Sequence, residues 1–338
     1  MPEPGIDTAS LPASPGPGLA EIVRGVRVRV RDAVGRAPAQ CLLLSGGLDT
    51  SILAPLAAAG GTRAAVTVLA APGAPDREPA ARIARNLEWT HHVVDTTLEQ
   101  LLEELEFVVR TLSTFDPMEI RNSLVIARAL REAKIQGYPT AMTGDAADEL
   151  FGGYSFMMGM PDAEFERYSR EMATSMHFSS DPLGRALGLE VRAPYRDPEV
   201  VRYAVELPKS VKVRERDGRP VGKWVLREAF PEAASRWRRK DPIETGSGSA
   251  GLPQWFSDRI PVHTLRSEQE RVLREDRVEI RDAEHLAYYR VFREVLGNHL
   301  ADRTFDPATS CAHCGIRLVR PTDTFCVTCG AYPARPRP

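Results

Sequence analysis

The heptad SGGLDTS at residues 45–51 follows a short apolar run and precedes a stretch with helical spacing. Two successive glycines let the backbone turn so that several N–H groups point into one concavity. The start of the following helix adds positive potential, and the hydroxyl groups of Ser45, Thr50 and Ser51 can donate further hydrogen bonds. Such a loop suits a pyrophosphate, and Asp49 suits a Mg²⁺ ion that bridges phosphates. The alternative is a plain strand-to-helix turn with a good cap. The heptad matches neither the Walker nor the Rossmann glycine motif.

Three carboxylates stand close together directly after another apolar run. Asp145, Asp148 and Glu149 would lie where a strand ends, and carboxylates are costly there unless a cation or a substrate compensates them. Ligands bind at this edge of open α/β sheets. The alternative is an acidic helix N-terminus, in which Asp148 and Glu149 only complement the helix dipole.

Four of the five cysteines form two CxxCG sequences near the end of the chain: Cys311, Cys314, Cys326 and Cys329. Two such knuckles can present four thiolates to one tetrahedral ion, and each glycine permits the tight turn behind the second sulfur. This favours zinc over an iron–sulfur cluster, a redox dithiol pair or nonspecific thiols. A unit of about 28 residues cannot bury enough apolar surface to fold alone, so we expect the metal to stabilise it. We interpret His313 as a neighbour of the ligands.

The elements that must position these residues can be read from apolar runs and helical spacing. Helices and strands alternate over the first half of the chain, which predicts an α/β fold with a parallel sheet covered by helices on both faces. The predicted strands are 39–44, 64–70, 90–95 and 138–144, and the predicted helices are 19–36, 49–59, 76–88, 98–113 and 119–137. From 162 to 300 the pattern is mainly helical, and ETGSGSAG at 244–251 is typical of a flexible loop.

Composition narrows the function classes. The formal net charge is −2, which argues against a large nucleic-acid surface. The sequence has no run of 18 apolar residues and no signal-peptide pattern, so we expect a cytoplasmic protein without a membrane span. We expect a disordered tail over 1–18, a main domain over 19–300, a linker over 301–310 and a zinc ribbon over 311–338.

Several motifs together resemble those of a known family. The heptad at 45–51 resembles the PP-loop of ATP pyrophosphatases, and TGDAADELFGGY at 143–154 resembles the G-(E/D)-x-x-D-E-L-F-G-G-Y signature of asparagine synthetases. Further matches follow in family order: His91-His92, GLEVRAPYRD at 188–197, KWVLREAF at 223–230 and Arg239-Lys240. The resemblance covers about residues 20–300. It implies a PP-loop fold of the adenine nucleotide α-hydrolase type and the chemistry of asparagine and β-lactam synthetases. These enzymes adenylate a carboxylate, release pyrophosphate and let a nitrogen attack the acyl-adenylate.

The resemblance also implies roles for individual residues. Asp49 and Asp148 would hold Mg²⁺ on the phosphates of ATP, while Lys223 and Lys240 would supply further positive charge. Asp145 occupies the family's Glu, Asp or Tyr position, which relays a proton from the attacking nitrogen. Lys240 precedes the loop at 244–251, which could close over the site as a mobile lid. The positions implied to bind ATP or its pyrophosphate are Leu43, Ser45, Gly46, Gly47, Asp49, Thr50, Ser51, Leu69 and Gly144.

Some matches keep a structural alternative. Leu43 and Leu69 could be core residues, and Lys240 could be a solvated lysine. Glu190 and Arg192 could form a buried structural ion pair or contact the substrate.

The sequence also departs from the family pattern. The family's glutaminase half begins with a cysteine after the initiator Met, whereas Pro2 stands here, so we expect no glutaminase domain in this chain. Ammonia would come from solvent or from a separate glutaminase, or another amine would serve as nucleophile. Arg196 also replaces the usual leucine. The carboxylate, either a small molecule or one bound to a carrier protein, cannot be read from the sequence.

Two other functions remain open at this point. Some tRNA-modifying PP-loop enzymes also carry cysteine knuckles, although the ELFGGY block and the near-neutral charge argue against that function. The chain could also be a catalytically degenerate synthetase scaffold that binds a partner through the zinc ribbon.

Overall fold

The computed structural model describes residues 18–297 and 304–335. Its main sheet has five parallel strands in the order β3-β2-β1-β4-β5. The strands are β1 Cys41–Leu43, β2 Ala64–Leu69, β3 Thr90–Asp95, β4 Thr140–Met142 and β5 Glu190–Arg192, and β6 Arg214–Arg216 pairs with β7 Arg219–Val221 in a separate hairpin. The order reverses at β1, so the carboxyl ends of β1 and β4 border the topological switch point, where open α/β sheets bind ligands.

Helices cover both faces of this sheet. They are α1 Leu19–Arg36, α2 Leu48–Ala59, α3 Arg77–Asn86, α4 Leu98–Leu102, α5 Leu105–Leu112, α6 Pro117–Ile135, α7 Ala147–Phe151, α8 Ser155–Met158, α9 Asp162–Ser175, α10 Ser180–Leu187, α11 Pro198–Glu206, α12 Lys209–Lys212, α13 Trp224–Ala229, α14 Ile243–Ser247, α15 Leu252–Ser257, α16 Val262–Asp276 and α17 Ala283–Leu296. Two hydrophobic cores result, one on each side of the sheet. The predicted α/β class with a parallel, helix-covered sheet is confirmed.

Local sequence explains the elements that frame the site. Every residue of β2 is buried, as expected for an Ala/Val-rich strand that is covered on both faces. In α1 the buried residues Ile22, Val26 and Val30 recur at helical spacing, so one stripe packs inward. Within the described residues, no helix is both long and apolar enough to cross a membrane.

The four predicted strands are present with small changes at their ends. The sequence prediction missed β5 and the β6–β7 hairpin, each built from strands of only three residues without an apolar run. The helix predicted over 98–113 is two helices, α4 and α5. The chain turns between them and buries Glu104, whose carboxylate lies 2.6 Å from Arg131 Nη2.

The segment 244–251 is not a flexible loop, which corrects the prediction from its glycine and serine content. It forms α14 and a 3₁₀ turn, Ser249–Gly251. Ser247 and Ser249 are buried, and the Ser247 carbonyl accepts a 2.7 Å hydrogen bond from Ala70 N at the end of β2. The closure of this segment over the site as a lid stays a prediction.

Residues 304–335, which carry the four cysteines and are called the cysteine segment below, pack on the main domain beside the start of α6. Phe115 N donates to Thr328 O at 2.7 Å, and Arg281 donates to the carbonyls of Cys329 and Gly330 at 2.9 and 2.6 Å. Of the expected linker, 301–303 lies outside the described residues, whereas Ser310 is buried and pairs with Arg317 inside the cysteine segment. The expected tail, apart from its last residue, also lies outside the described residues.

Candidate active site

The loop between β1 and α2 forms one wall of the site. Gly46 has φ +69°, and a Cβ there would lie 2.5 Å from Ala80 N, so only glycine lets the loop approach the start of α3. Gly47 is the N-cap of α2 and provides no side chain to cap it. The first N–H groups of α2 are consequently available to an anion.

A cavity of about 340 Å³ lies between this loop and the end of β4. Ten of the residues implied by the sequence line it together: Leu43, Ser45, Gly47, Asp49, Thr50, Gly144, Asp145, Asp148, Lys223 and Lys240. The heptad and the acidic segment, about 100 residues apart in sequence, thus meet at the switch point.

Three of the implied ATP-binding residues are not among the described residues that line the cavity. Gly46 permits the turn of the loop and its close approach to α3. Ser51 donates its hydroxyl to Leu48 O at 2.8 Å inside α2. Leu69 is buried, whereas its neighbour Val68 lines the cavity. Val66 and Thr67 line it as well, so Leu69 is the first buried residue of β2 beyond the lining, and its alternative as a core residue stays open.

Lys223 lies between the two aspartates that the sequence singled out. Its Nζ is 2.6 Å from Asp49 Oδ2 and 2.9 Å from Asp148 Oδ1. Lys240 also pairs with Asp148 Oδ1, from the more exposed side. The sequence implied that both lysines serve the phosphates; the structure places their ammonium groups on the carboxylates.

Burial and charge act against each other in this cluster. Burial raises the pKa of Asp49 above its ordinary value despite the nearby Lys223. Burial would also raise the pKa of Asp148, but Lys223 and Lys240 outweigh it and lower that pKa. The pKa of Lys223 is raised, because its two carboxylate partners outweigh the effect of its own burial. Lys223 and Asp148 are accordingly charged at neutral pH.

Gly153 makes the close approach of Asp148 and Lys223 possible. A Cβ at this position would overlap Asp148 Oδ1 and Lys223 Cε. Gly153 of the ELFGGY block therefore has a direct steric role in the cluster.

Asp145 also lines the cavity. Its Oδ2 accepts hydrogen bonds from Thr143 Oγ1 at 2.7 Å and Ser180 Oγ at 2.5 Å. Burial raises its pKa in spite of these two bonds. A buried carboxylate with a raised pKa suits a group that accepts a proton near neutral pH.

Two further residues of the site, Tyr154 and Arg238, were not predicted from the sequence. Tyr154 donates its hydroxyl to Glu149 Oε1 at 2.6 Å, and both line the cavity. Glu149 was one of the three carboxylates singled out from the sequence, whereas Tyr154 was quoted only as part of a motif. Arg238 donates to Ser45 O at 3.2 Å and to Asp76 Oδ1 at 2.8 Å, so it ties the 238–241 segment to the phosphate loop. The only local signal for Arg238 was the basic run RWRRK.

Other motif residues lie elsewhere. His91 Nε2 is 2.8 Å from Thr67 Oγ1 and His92 Nε2 is 3.0 Å from Tyr138 Oη, and neither histidine is among the described residues that line the cavity. Glu190 and Arg192 do pair, at 2.8 Å, but their side chains are 58% and 35% exposed, so this is not a buried ion pair.

The four cysteines form a second candidate site. Their Sγ atoms all lie within 4.8 Å of one another, with 3.8 Å between Cys311 and Cys329 and 3.7 Å between Cys314 and Cys326. Zn–S bonds of about 2.3 Å in a tetrahedron put the sulfurs about 3.8 Å apart, so the arrangement fits one zinc ion. His313 Nδ1 lies 2.6 Å from Glu279 Oε2 and its Nε2 lies 3.1 Å from Pro333 O, which leaves neither nitrogen for a metal.

Comparison with known proteins agrees with this geometry. The asparagine synthase family model matches residues 25–170 and 161–306. Asparagine synthetase [glutamine-hydrolyzing] 1 of Saccharomyces cerevisiae is 27% identical over 296 residues, which cover 72% of this chain and 51% of that protein. Asparagine synthetase [glutamine-hydrolyzing] 1 of Arabidopsis thaliana is 30% identical over 230 residues, covering 61% of this chain and 39% of that protein.

The chain thus spans about half the length, or less, of these curated relatives. A solved NH3-dependent NAD synthetase from Campylobacter jejuni shares 12% identity over 67% of this chain and 99% of its own, with a TM-score of 0.29, too low to carry an argument. The family match covers more than half of the sequence and includes both walls of the cavity. The chain belongs to the asparagine synthase family.

Proposed function

We propose that this chain is an AMP-forming carbon–nitrogen ligase. A carboxylate oxygen of the substrate attacks the α-phosphorus of ATP, the bond to the β-phosphate oxygen breaks, and pyrophosphate leaves. A nitrogen nucleophile then attacks the acyl carbon, and AMP leaves with the electron pair of the acyl–oxygen bond. The nitrogen loses a proton, so the products are an amide, AMP and pyrophosphate.

The observation that carries this proposal is the meeting of the phosphate loop and the acidic segment in one cavity. The first N–H groups of α2 favour an anion at the loop, and Arg238, which also lines the cavity, holds the loop through its hydrogen bond to Ser45 O. Val66 and Val68 provide an apolar wall for the adenine, in the role assigned from the sequence to Leu69. The acyl group would then lie on the side of Asp145.

The two aspartates fit a magnesium ion. Asp49 Oδ1 is buried, and within the described part of the chain it has no hydrogen-bond partner. Both lysine contacts of Asp148 use Oδ1, which leaves Oδ2 for a ligand. Asp49 and Asp148 would therefore hold the ion, which when bound offsets charge on the leaving pyrophosphate. Lys223 keeps the two carboxylates close together.

Asp145 is proposed as the group that accepts the proton of the nitrogen. Thr143 and Ser180 both donate to its Oδ2, which fixes the carboxylate in one orientation. The oxygen Oδ1 remains for the nucleophile, and the raised pKa makes this carboxylate a better base than an exposed aspartate.

The partners follow from this chemistry. The carboxylate is a small molecule or is bound to a carrier protein, and the nitrogen comes from ammonia or an amine, with a separate glutaminase as one source. We further propose a structural zinc ion on the four cysteines. Four thiols that bind zinc must stay reduced, which favours a cytoplasmic location.

ATP–pyrophosphate exchange with Mg²⁺ and a panel of carboxylates tests the proposal. Asp49→Asn and Asp148→Asn should each reduce exchange at least about a hundredfold, because each removes a ligand charge beside the phosphates. Asp95→Asn is the matched control, since Asp95 is 63% exposed and pairs with Arg77 on the surface. Full exchange in either active-site variant contradicts the magnesium assignment, and no exchange with any acid contradicts the ligase proposal.

A further inference from the structure

Five basic residues of the described chain line the active-site cavity: Lys223, Arg227, Arg238, Arg239 and Lys240. The charges of the two lysines are already offset within the protein. Lys223 lies between Asp49 and Asp148, and Lys240 also pairs with Asp148. Their carboxylate partners reduce the positive potential that these lysines present to a phosphate. A phosphate bound in this cavity therefore has use for a further cation.

Two of the three arginines are also held by the protein. Arg238 donates to Asp76 Oδ1 at 2.8 Å, so its charge is paired. Arg227 is buried, and its guanidinium donates to the carbonyl of Gly222 at 3.1 Å and to the carbonyl of Arg236. Both guanidinium groups are thus fixed by contacts of the protein itself.

Arg239 differs from the other four. It is exposed, and in the part of the chain that the structure describes its side chain has no ion pair, hydrogen bond or ring contact. A guanidinium group stays protonated in proteins, so Arg239 carries a full and unpaired positive charge. Such an arginine is ordinary on an open surface, but this one borders a cavity whose other cations all have partners.

The position of Arg239 in the chain relates this charge to the phosphates. Its neighbour Arg238 donates to Ser45 O of the phosphate loop at 3.2 Å, and its other neighbour, Lys240, pairs with Asp148. Consecutive Cα atoms are about 3.8 Å apart, so Arg239 lies within one residue of both contacts. The proposed function puts the phosphate tail of ATP between this loop and the magnesium aspartates. Arg239 consequently lies beside that tail.

We propose that Arg239 binds the β- and γ-phosphates of ATP and remains on them as they leave as pyrophosphate. The inference rests on the proposed ligase function and adds a residue to its phosphate site. A planar guanidinium can donate two parallel hydrogen bonds to phosphate oxygens, which an ammonium group cannot do. Its charge also offsets the negative charge that develops on the leaving group.

Calorimetric titration of the protein with magnesium pyrophosphate and with AMP tests the assignment. Arg239→Met should weaken the binding of magnesium pyrophosphate about tenfold or more, because hydrogen bonds between charged groups are lost. Arg239→Lys should weaken it less, since this variant keeps the charge and loses only the planar geometry. AMP lacks the β- and γ-phosphates, so its affinity should stay unchanged in both variants.

Arg219→Met is the matched control. Arg219 is an exposed arginine of β7 that, among the described residues, has no ion pair and does not line the cavity. Its replacement removes the same charge from the surface and should leave both affinities as in the wild-type protein.

Pyrophosphate exchange gives a second measurement, with the carboxylic acid that the wild-type protein uses best. Arg239→Met should raise the KM for pyrophosphate about tenfold and leave the KM for the acid unchanged. If the KM for the acid rises instead, while magnesium pyrophosphate binds as to the wild-type protein, Arg239 contacts an anionic group of the acid and the assignment is wrong.

The remaining outcomes separate this inference from the ligase proposal. Equal binding of magnesium pyrophosphate by the wild-type protein, Arg239→Met and Arg219→Met overturns the assignment of Arg239, even where exchange proves the ligase function. If no acid supports exchange, the ligase function fails, and the titrations with pyrophosphate and AMP still decide the role of Arg239. A wild-type protein that binds neither ATP nor pyrophosphate overturns both.

Discussion

Lys223 Nζ lies 2.6 Å from Asp49 Oδ2 and thereby joins two residues that are 174 positions apart in the sequence. Lys223 has φ +56°, which is unusual for a residue with a side chain, and only 4% of it is exposed. This strained backbone brings the ammonium group between two buried aspartates. The same contact therefore supports the fold and arranges the carboxylates beside the phosphate loop.

Removing the charge of Lys223 should destabilise the protein. Lys223→Met leaves Asp49 without its partner, and breaking a buried ion pair on one side costs about 3–5 kcal/mol. Urea unfolding measures the free energy. The double variant Asp49→Asn/Lys223→Met removes both charges and should recover at least half of the loss. Equal stability of the single variant and the wild-type protein would show that the pair contributes nothing.

Gly153→Ala should abolish pyrophosphate exchange while the fold persists. The added methyl group overlaps both Asp148 and Lys223, so the carboxylate must move away from the phosphates. The control is Gly159→Ala, where a Cβ meets no described atom within 4 Å. Exchange assays and circular dichroism on both variants check this. Normal exchange in Gly153→Ala would mean that the position of Asp148 is not critical.

Lys212 should make stability depend on pH in the alkaline range. Burial lowers its pKa to about 7, and its Nζ lies 5.5 Å from the ring centroid of Phe165. The unfolded chain then binds more protons than the folded one between pH about 7 and 10.5, so stability rises with pH across that window. Below pH 7 the folded protein carries the full free-energy cost of burying the charged ammonium group of Lys212.

Lys212→Met removes this cost. The variant should be more stable than the wild-type protein at pH 7, and the difference should shrink by about 4 kcal/mol as the pH rises to 10. Urea unfolding at several pH values gives the two curves. A difference that stays constant from pH 7 to 10 would mean that Lys212 does not titrate in that range.

Local patterns explain why much of the site could be predicted. The SGGLDTS heptad, the DAADE segment and the CxxCG pairs are contiguous, so residue type and spacing alone indicate their chemistry. Apolar runs placed the first four strands, and parallel pairing then brings the ends of β1 and β4 to one edge. The meeting of Asp49 and Asp148 follows from this topology.

What escaped prediction depends on contacts between distant segments. Arg238 gains its role from Ser45 and Asp76, and Asp145 gains its orientation from Ser180. The cavity borders β2 at Val66, Thr67 and Val68 and not at Leu69, which an apolar run by itself does not reveal. Glycines and serines at 244–251 indicate flexibility when taken alone, yet this segment is held by backbone bonds to β2 and to Asp76.

The cysteine segment provides the last prediction. Protein purified without chelator should contain about one zinc ion per chain, and Cys326→Ser should lose it, because three thiolates bind far more weakly than four. Cys41→Ser is the matched control: Cys41 is buried in β1, where its Sγ lies 3.6 Å from Thr140 O, and its replacement should leave the zinc content unchanged.

Loss of zinc should also destabilise the main domain. Backbone carbonyls of the cysteine segment accept hydrogen bonds from Phe115 N, Glu279 N and the Arg281 side chain, so its unfolding exposes the start of α6. The thermal midpoint of Cys326→Ser should fall by roughly 5 °C or more. Atomic absorption and calorimetry measure the two effects. Full zinc in Cys326→Ser would contradict the four-cysteine site, and loss of zinc with an unchanged midpoint would show that the segment does not stabilise the domain on which it packs.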